Sequence, residues 1–123
     1  MKKILIIEDQ SDIRKLVRMT LEFDNYEIHE AADGDMGLKM IYAVRPDLVL
    51  LDVMMPGTLD GYQVCQRAKA DVEVKHTPVI LLTARGQVAD REQGVAAGAD
   101  EYLIKPFSPL QLIETIERIL AAE

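Results

Sequence analysis

The chain has a single cysteine, Cys65, and no tryptophan. An internal disulfide is therefore excluded, and Cys65, set between Val64 and Gln66 in an expected helix, reads as core filler. A zinc set is missing for the same reason: His29 falls within an expected strand and His76 in a distant loop, with no second thiol to join them. Basic residues are in the minority, 14 against 21 acidic ones, for a formal charge of −7. That balance repels nucleic acid and leaves no basic stripe of the kind DNA readers carry, so direct nucleic-acid binding is not expected. No apolar run approaches the roughly 18 residues a membrane span needs. The opening Met-Lys-Lys-Ile-Leu-Ile-Ile turns acidic at Glu8-Asp9, too soon for a secretion signal, so a cytoplasmic protein without membrane contact is expected. Neither a Gly-x-x-x-x-Gly-Lys loop nor a Gly-x-Gly-x-x-Gly fingerprint occurs, which removes the usual nucleotide sites.

What is present is a chain of 123 residues, 49% hydrophobic and 28% charged, the size and composition of one soluble domain spanning 1–123. Short apolar runs alternate with helical patterns from end to end, which predicts strand-helix units feeding a parallel sheet. Five units are expected. Ser11 is placed to cap a first helix with an apolar stripe of Ile13, Leu16, Val17, Thr20 and Leu21. Asp33 is placed to cap the second, with Met36, Met40 and Val44 inward and Pro46 after its end. The third runs to about Ala70 after the turn-rich Pro56-Gly57-Thr58-Leu59-Asp60-Gly61. The fourth, roughly Gln87 to Ala97, is polar, contains Gly94 and stops before Gly98. The last has Ser108 as cap, Pro109 at its first position and Gln111 to complete a capping box, with Leu112, Ile113, Ile116, Ile119 and Leu120 buried. Strands one, three and four are continuous apolar runs, as in a sheet covered on both faces, whereas Tyr26 to Glu30 is mixed and suits an edge. Right-handed crossovers then give a flavodoxin-like doubly wound α/β fold with strand order 2-1-3-4-5 and five helices.

This order puts chemistry at one edge. Glu8 and Asp9 follow strand one, Asp52 ends strand three, Thr83 strand four, and Lys105 follows strand five. Ligands of open α/β sheets bind outside the carboxyl ends of the strands, where the order reverses. Carboxylates about 4 Å apart repel by roughly 4 kcal/mol at an effective dielectric near 20, so three of them call for a cation or for protons. Oxygen-only ligands suit Mg²⁺, which keeps waters and completes its shell with phosphate oxygens. Phosphoryl transfer needs an in-line nucleophile, a metal and groups that balance the equatorial oxygens. Asp52 is the candidate nucleophile, Asp9 a direct metal ligand, Glu8 a ligand directly or through water, and Thr83 and Lys105 the phosphoryl-oxygen binders.

The segments Ile7-Glu8-Asp9, Leu51-Asp52-Val53-Met54-Met55-Pro56-Gly57, Leu82-Thr83-Ala84-Arg85 and Lys105-Pro106-Phe107 resemble the receiver domain of two-component response regulators, and the resemblance covers essentially the whole chain. It implies that Asp52 accepts a phosphoryl group from the phosphohistidine of a sensor histidine kinase or phosphotransfer protein, and that the Met54 backbone carbonyl joins Glu8, Asp9 and Asp52 around Mg²⁺. It also implies that Thr83 and Tyr102 form a switch relaying the change to the helix 4, strand 5 and helix 5 face, where a downstream effector docks and a phosphorylation-dependent dimer can form. A cis bond between Lys105 and Pro106 belongs to the same pattern. Such a domain is a phosphoacceptor and not an enzyme with a separate substrate. Gly57-Thr58-Leu59 is one residue longer than in many relatives, beside Asp52, and the arginine-rich tail of DNA-linked receivers is absent, which fits a stand-alone or excised receiver. The competing reading is an interaction module that keeps this fold but ignores phosphorylation. A flavin carrier is opposed by the acidic loop after strand one, and a haloacid-dehalogenase-type phosphatase by Met54, where a second aspartate would stand.

Overall fold

The structure is a computed structural model that describes residues 1–84 and 88–122, with backbone alone at 88–90. Strands and helices alternate without exception: β1 (Lys2–Ile7), α1 (Ser11–Leu21), β2 (Tyr26–Ala31), α2 (Gly34–Val44), β3 (Leu48–Asp52), α3 (Gly61–Ala70), β4 (Val79–Thr83), α4 (Val88–Ala96), β5 (Glu101–Ile104) and α5 (Pro109–Ala121). All pairings are parallel, in the expected order β2-β1-β3-β4-β5. The mixed strand β2 is an edge, and the apolar runs of β1, β3 and β4 fill the centre.

Period-two alternation divides the strand residues between two cores. Leu5, Ile7, Val49, Leu51 and Leu81 face α2, α3 and the loops beyond, packing with Ile41, Val64 and Cys65. Ile4, Ile6, Leu48, Leu50, Ile80 and Leu82 face the other way, against Val17 and Leu21 of α1 and Leu112 and Ile116 of α5. Each central strand is thus buried on both faces, which accounts for the unbroken apolar runs. Cys65 is core filler as expected: its thiol is buried against the Ala97 carbonyl at 3.4 Å, and burial pushes its pKa up to about 11. His29 pairs with Glu27 on the exposed side of β2. Among the described residues no helix is long and apolar enough to cross a membrane.

Several helix details differ from the sequence reading. The N-cap of α1 is Gln10, not Ser11, because the Arg14 N–H bonds the Gln10 carbonyl at 3.0 Å and Ser11 is already helical; the Gln10 side chain makes no cap bond. The helix's inward line is the half-buried Ile13 with the buried Val17 and Leu21, so Leu16 lies outside and is exposed. In α2 the expected inward Met36 is also exposed. The buried line there is Gly34, Gly37 and Ile41, because glycines let the helix axis come close to the sheet and rotate the larger side chains aside. Met40 and Val44 are half-buried. Asp33 caps α2 as expected, its Oδ1 accepting from the Met36 N–H. Ser108 accepts from the Gln111 N–H at 3.0 Å, but the full reciprocal box is found at α3, between Asp60 and Gln63. Gly98 has φ +88°, the left-handed turn anticipated after α4. The expected start of α4 at Gln87, and Arg85 before it, lie outside the described residues.

A methyl group on Gly37 would sit 2.6–2.9 Å from three carbons of Ile7. Gly37→Ala is accordingly expected to lower unfolding stability by about 1–3 kcal/mol through overpacking, although helix propensity alone favours alanine by ~1 kcal/mol. Urea denaturation decides the sign, and a raised midpoint would contradict the close packing of α2 on β1.

Candidate functional site

The sheet delivers its side chains to one edge. Beyond the last residue of β1, the Glu8 N–H still bonds the Ala31 carbonyl of β2 at 3.0 Å, so the strand direction continues and Glu8 is carried inward with no exposed surface. Asp52 closes β3 in register with Leu82 and is 3% exposed. The Gly61 N–H returns to the Val53 carbonyl at 2.9 Å, and a Cβ on Gly61 would fall 2.2 Å from the Asp52 carbonyl oxygen. Glycine is required there, since α3 begins directly against the Asp52 peptide. On the other side the Lys105 N–H bonds the Thr83 carbonyl at 2.7 Å, and the Lys105–Pro106 peptide is cis.

These backbone paths bring the acidic trio together. Ligand oxygens of Glu8, Asp9 and Asp52 all lie within 4.8 Å of one another. Lys105 Nζ donates to Glu8 Oε1 at 2.8 Å and to Asp52 Oδ1 at 3.0 Å. Lys105 thus pairs with two of the three carboxylates. Burial foremost, and the proximity of Glu8, push the Asp52 carboxyl up to about 7, with Lys105 opposing. Burial pulls the Lys105 ammonium down, but its bonds to Glu8 and Asp52 outweigh that and hold it above its ordinary value. Asp9 Oδ1 is buried without a hydrogen-bond partner. A buried, unpartnered carboxylate oxygen facing two more carboxylates is a donor set with a place for a hard divalent cation, since oxygen ligands and uncompensated negative charge are what such a cation takes.

Thr83 ends β4 one step beyond the residue paired with Asp52 and is buried. Met54 follows Asp52 by two residues and is 55% exposed. Tyr102 stands apart, on β5, half-buried against the α2–α3 core, with the Arg91 guanidinium 5.8 Å from its ring centre. A cleft walled by Arg91, Gly94, Val95 and Tyr102 separates α4 from β5.

A model of the response regulator receiver domain matches residues 4–117. The chain belongs to this family. The receiver is 47% identical over 118 residues to the transcriptional regulatory protein ResD of Bacillus subtilis (strain 168), covering 96% of this chain and 48% of that protein. It is 41% identical over 120 residues to the DNA-binding dual master transcriptional regulator RpaA of Synechocystis, covering 98% and 49%. The chain therefore spans about half the length of these curated relatives. Among solved structures it is similar to the chemotaxis protein CheY4 of Vibrio cholerae, with a TM-score of 0.90 and 34% identity over 97% of this chain and 98% of that one.

Two features of the receiver's site escaped the sequence reading. Arg14 of α1 donates from Nη1 to the Glu8 carbonyl at 2.7 Å and from Nε to Glu30 at 2.9 Å. The lengthened loop also has a partner: Thr58 donates to Asp35 at 2.8 Å and Leu59 is buried, so the loop after Met54 is fastened to the start of α2. Glu30 carried a readable signal, since it is one more charged residue near the end of a strand. The Thr58 contact joins residues 23 apart and had none.

The folded receiver holds the Asp52 proton to about pH 7, whereas an unfolded aspartate loses it near 3.8. The stability this adds is complete below about pH 4 and is lost as the pH rises through about 7. Metal-free protein is expected to unfold more easily at pH 8 than at pH 5. Asp52→Asn should flatten that decline and gain roughly 1–3 kcal/mol at pH 8. Urea curves in chelator at both pH values measure it, and identical pH slopes for the two proteins would contradict the crowding.

Proposed function

We propose that this receiver is a phosphorylation-activated switch in which Asp52 accepts a phosphoryl group from the phosphohistidine of a sensor kinase or phosphotransfer protein. The observation that carries the reading is the convergence of Glu8, Asp9 and Asp52 with Lys105 bridging two of them. An Asp52 carboxylate oxygen attacks phosphorus in line; the new O–P bond forms as the P–N bond to the donor imidazole breaks. Lys105, already between Glu8 and Asp52, exchanges a carboxylate contact for a phosphoryl oxygen. Thr83 offers a hydroxyl to a second oxygen. Glu8, Asp9 and Asp52, with the Met54 carbonyl, are the residues that would hold Mg²⁺, which when bound supplies the positive charge that lets Asp52 ionise and that phosphoryl oxygens share.

Thr83 and Tyr102 are the residues that carry the change outward, toward α4, β5 and α5, where an effector domain or protein docks. The α4 element is the one most cheaply displaced: it is nine residues long, carries Gly94, and adjoins a cleft. The domain itself acts as phosphoacceptor, without turnover of a separate substrate, and works in the cytoplasm through protein contacts, not through direct contact with nucleic acid.

Incubation with Mg²⁺ and acetyl phosphate is expected to add one acid-labile phosphoryl group to the wild type and none to Asp52→Asn, read by intact mass. Lys105→Met should slow labelling by about 100-fold. Equal labelling of wild type and Asp52→Asn would reject Asp52. With beryllofluoride and Mg²⁺, residue-resolved spectra should shift at α4, β5 and α5, and Thr83→Ala should suppress those distant shifts. Shifts confined to the acidic site in the wild type would favour a module indifferent to phosphorylation.

A further inference from the structure

The Asp9 carboxylate stands in an unfavourable place. Its Oδ1 is buried without a partner, and its nearest charged neighbours in the cluster, Glu8 and Asp52, repel it. Left to side-chain forces it would swing toward water. What opposes that is backbone. A peptide unit is planar, so the Glu8 carbonyl and the Asp9 N and Cα move as one plate. Arg14 holds that plate: Nη1 donates to the Glu8 carbonyl at 2.7 Å. The same guanidinium is fixed from its other edge, Nε donating to Glu30 Oε1 at 2.9 Å. Glu30 stands opposite Ile6 on the edge strand β2, and its second oxygen also accepts from Arg18 Nε. Both partners are largely shielded, Arg14 with 20% and Glu30 with 29% of their side chains exposed, so the contact is weakly screened.

We infer that Arg14, held by Glu30, is a positioning residue for the acidic pair: it clamps the Glu8–Asp9 peptide from α1 and keeps the Asp9 carboxylate beside Glu8 and Asp52. Arginine suits this task because its planar fork donates in two directions at once, which the single nitrogen of lysine does not reproduce at fixed geometry. Arg18 is the internal control. It bonds Glu30 and, at 3.4 Å, the Ile28 carbonyl, sharing the ion pair without reaching the Glu8 peptide.

The inference rests on the Mg²⁺ reading given above, and its test separates the two. Mg²⁺ is titrated into wild type, Arg14→Gln, Arg14→Lys and Arg18→Gln by calorimetry, with metal-free unfolding measured alongside. Both Arg14 variants are expected to bind Mg²⁺ about tenfold more weakly, and Arg18→Gln to stay within about twofold of wild type. Acetyl phosphate labelling of Arg14→Gln should return to the wild-type rate when Mg²⁺ is raised to saturation. If Arg14→Gln does not fold, Arg14→Lys, which keeps the charge and the stem, carries the same comparison. Wild-type affinity in the Arg14 variants, or equal weakening in Arg18→Gln, would overturn the positioning role alone. A wild type that does not bind Mg²⁺ would overturn the underlying reading with it.

Discussion

The structure depends on one electrostatic constraint: three carboxylates from the ends of β1 and β3 share a crevice into which Lys105 brings its ammonium. Their mutual repulsion is of the order of several kcal/mol at the separations involved, comparable to a domain's whole net stability. It is sustained because the strands that present them are the most buried part of the molecule. Ile4 to Ile7, Leu48 to Leu51 and Val79 to Leu82 are all 1% exposed or less, packed on both faces. Moving Asp52 away from Glu8 would mean breaking the β1–β3 ladder between Ile4–Ile7 and Leu48–Leu51.

The same constraint explains how the parts around the crevice are used. Lys105 arrives from β5 and spans Glu8 and Asp52, so it ties three non-adjacent stretches of chain together at one nitrogen. Gly61 lets α3 start against the Asp52 peptide, and Arg14 and Glu30 brace the Glu8 peptide from the far side. Toward β5, Gly94 of α4 and the half-buried Tyr102 line a cleft. On the proposed reading, a charge change at Asp52 is carried toward that cleft, where α4 is the element most cheaply displaced.

Much of this was legible without coordinates. Element order, the edge position of β2 and the strand order followed from short apolar runs alternating with helical patterns, because period and run length report burial on one or two faces. Asp33 and Ser108 announced their caps, and Gly98 its left-handed turn. Two of the misplacements share a cause. Met36 and Leu16 were assigned inward by apolarity, yet in α2 the glycines took the inner line, and in α1 the stripe proved narrower than its apolar content. A pattern of apolar residues does not reveal how closely a helix axis approaches the sheet, and that distance decides which residues fit beneath it.

By itself, then, the sequence determined which residues could converge, since charged and hydroxyl side chains at the ends of strands in a 2-1-3-4-5 sheet have one edge to share. Only the tertiary structure decided how they meet: that Lys105 bridges Glu8 and Asp52 and not Asp52 alone, that Asp9 Oδ1 is left without a partner, and that Arg14 grips a peptide carbonyl while Thr58 fastens the lengthened loop to Asp35. The reason is range. Strand burial and helix capping are written in neighbouring residues, whereas hydrogen bonds between side chains 16, 23 or 97 positions apart depend on distances that exist only once the layers have packed.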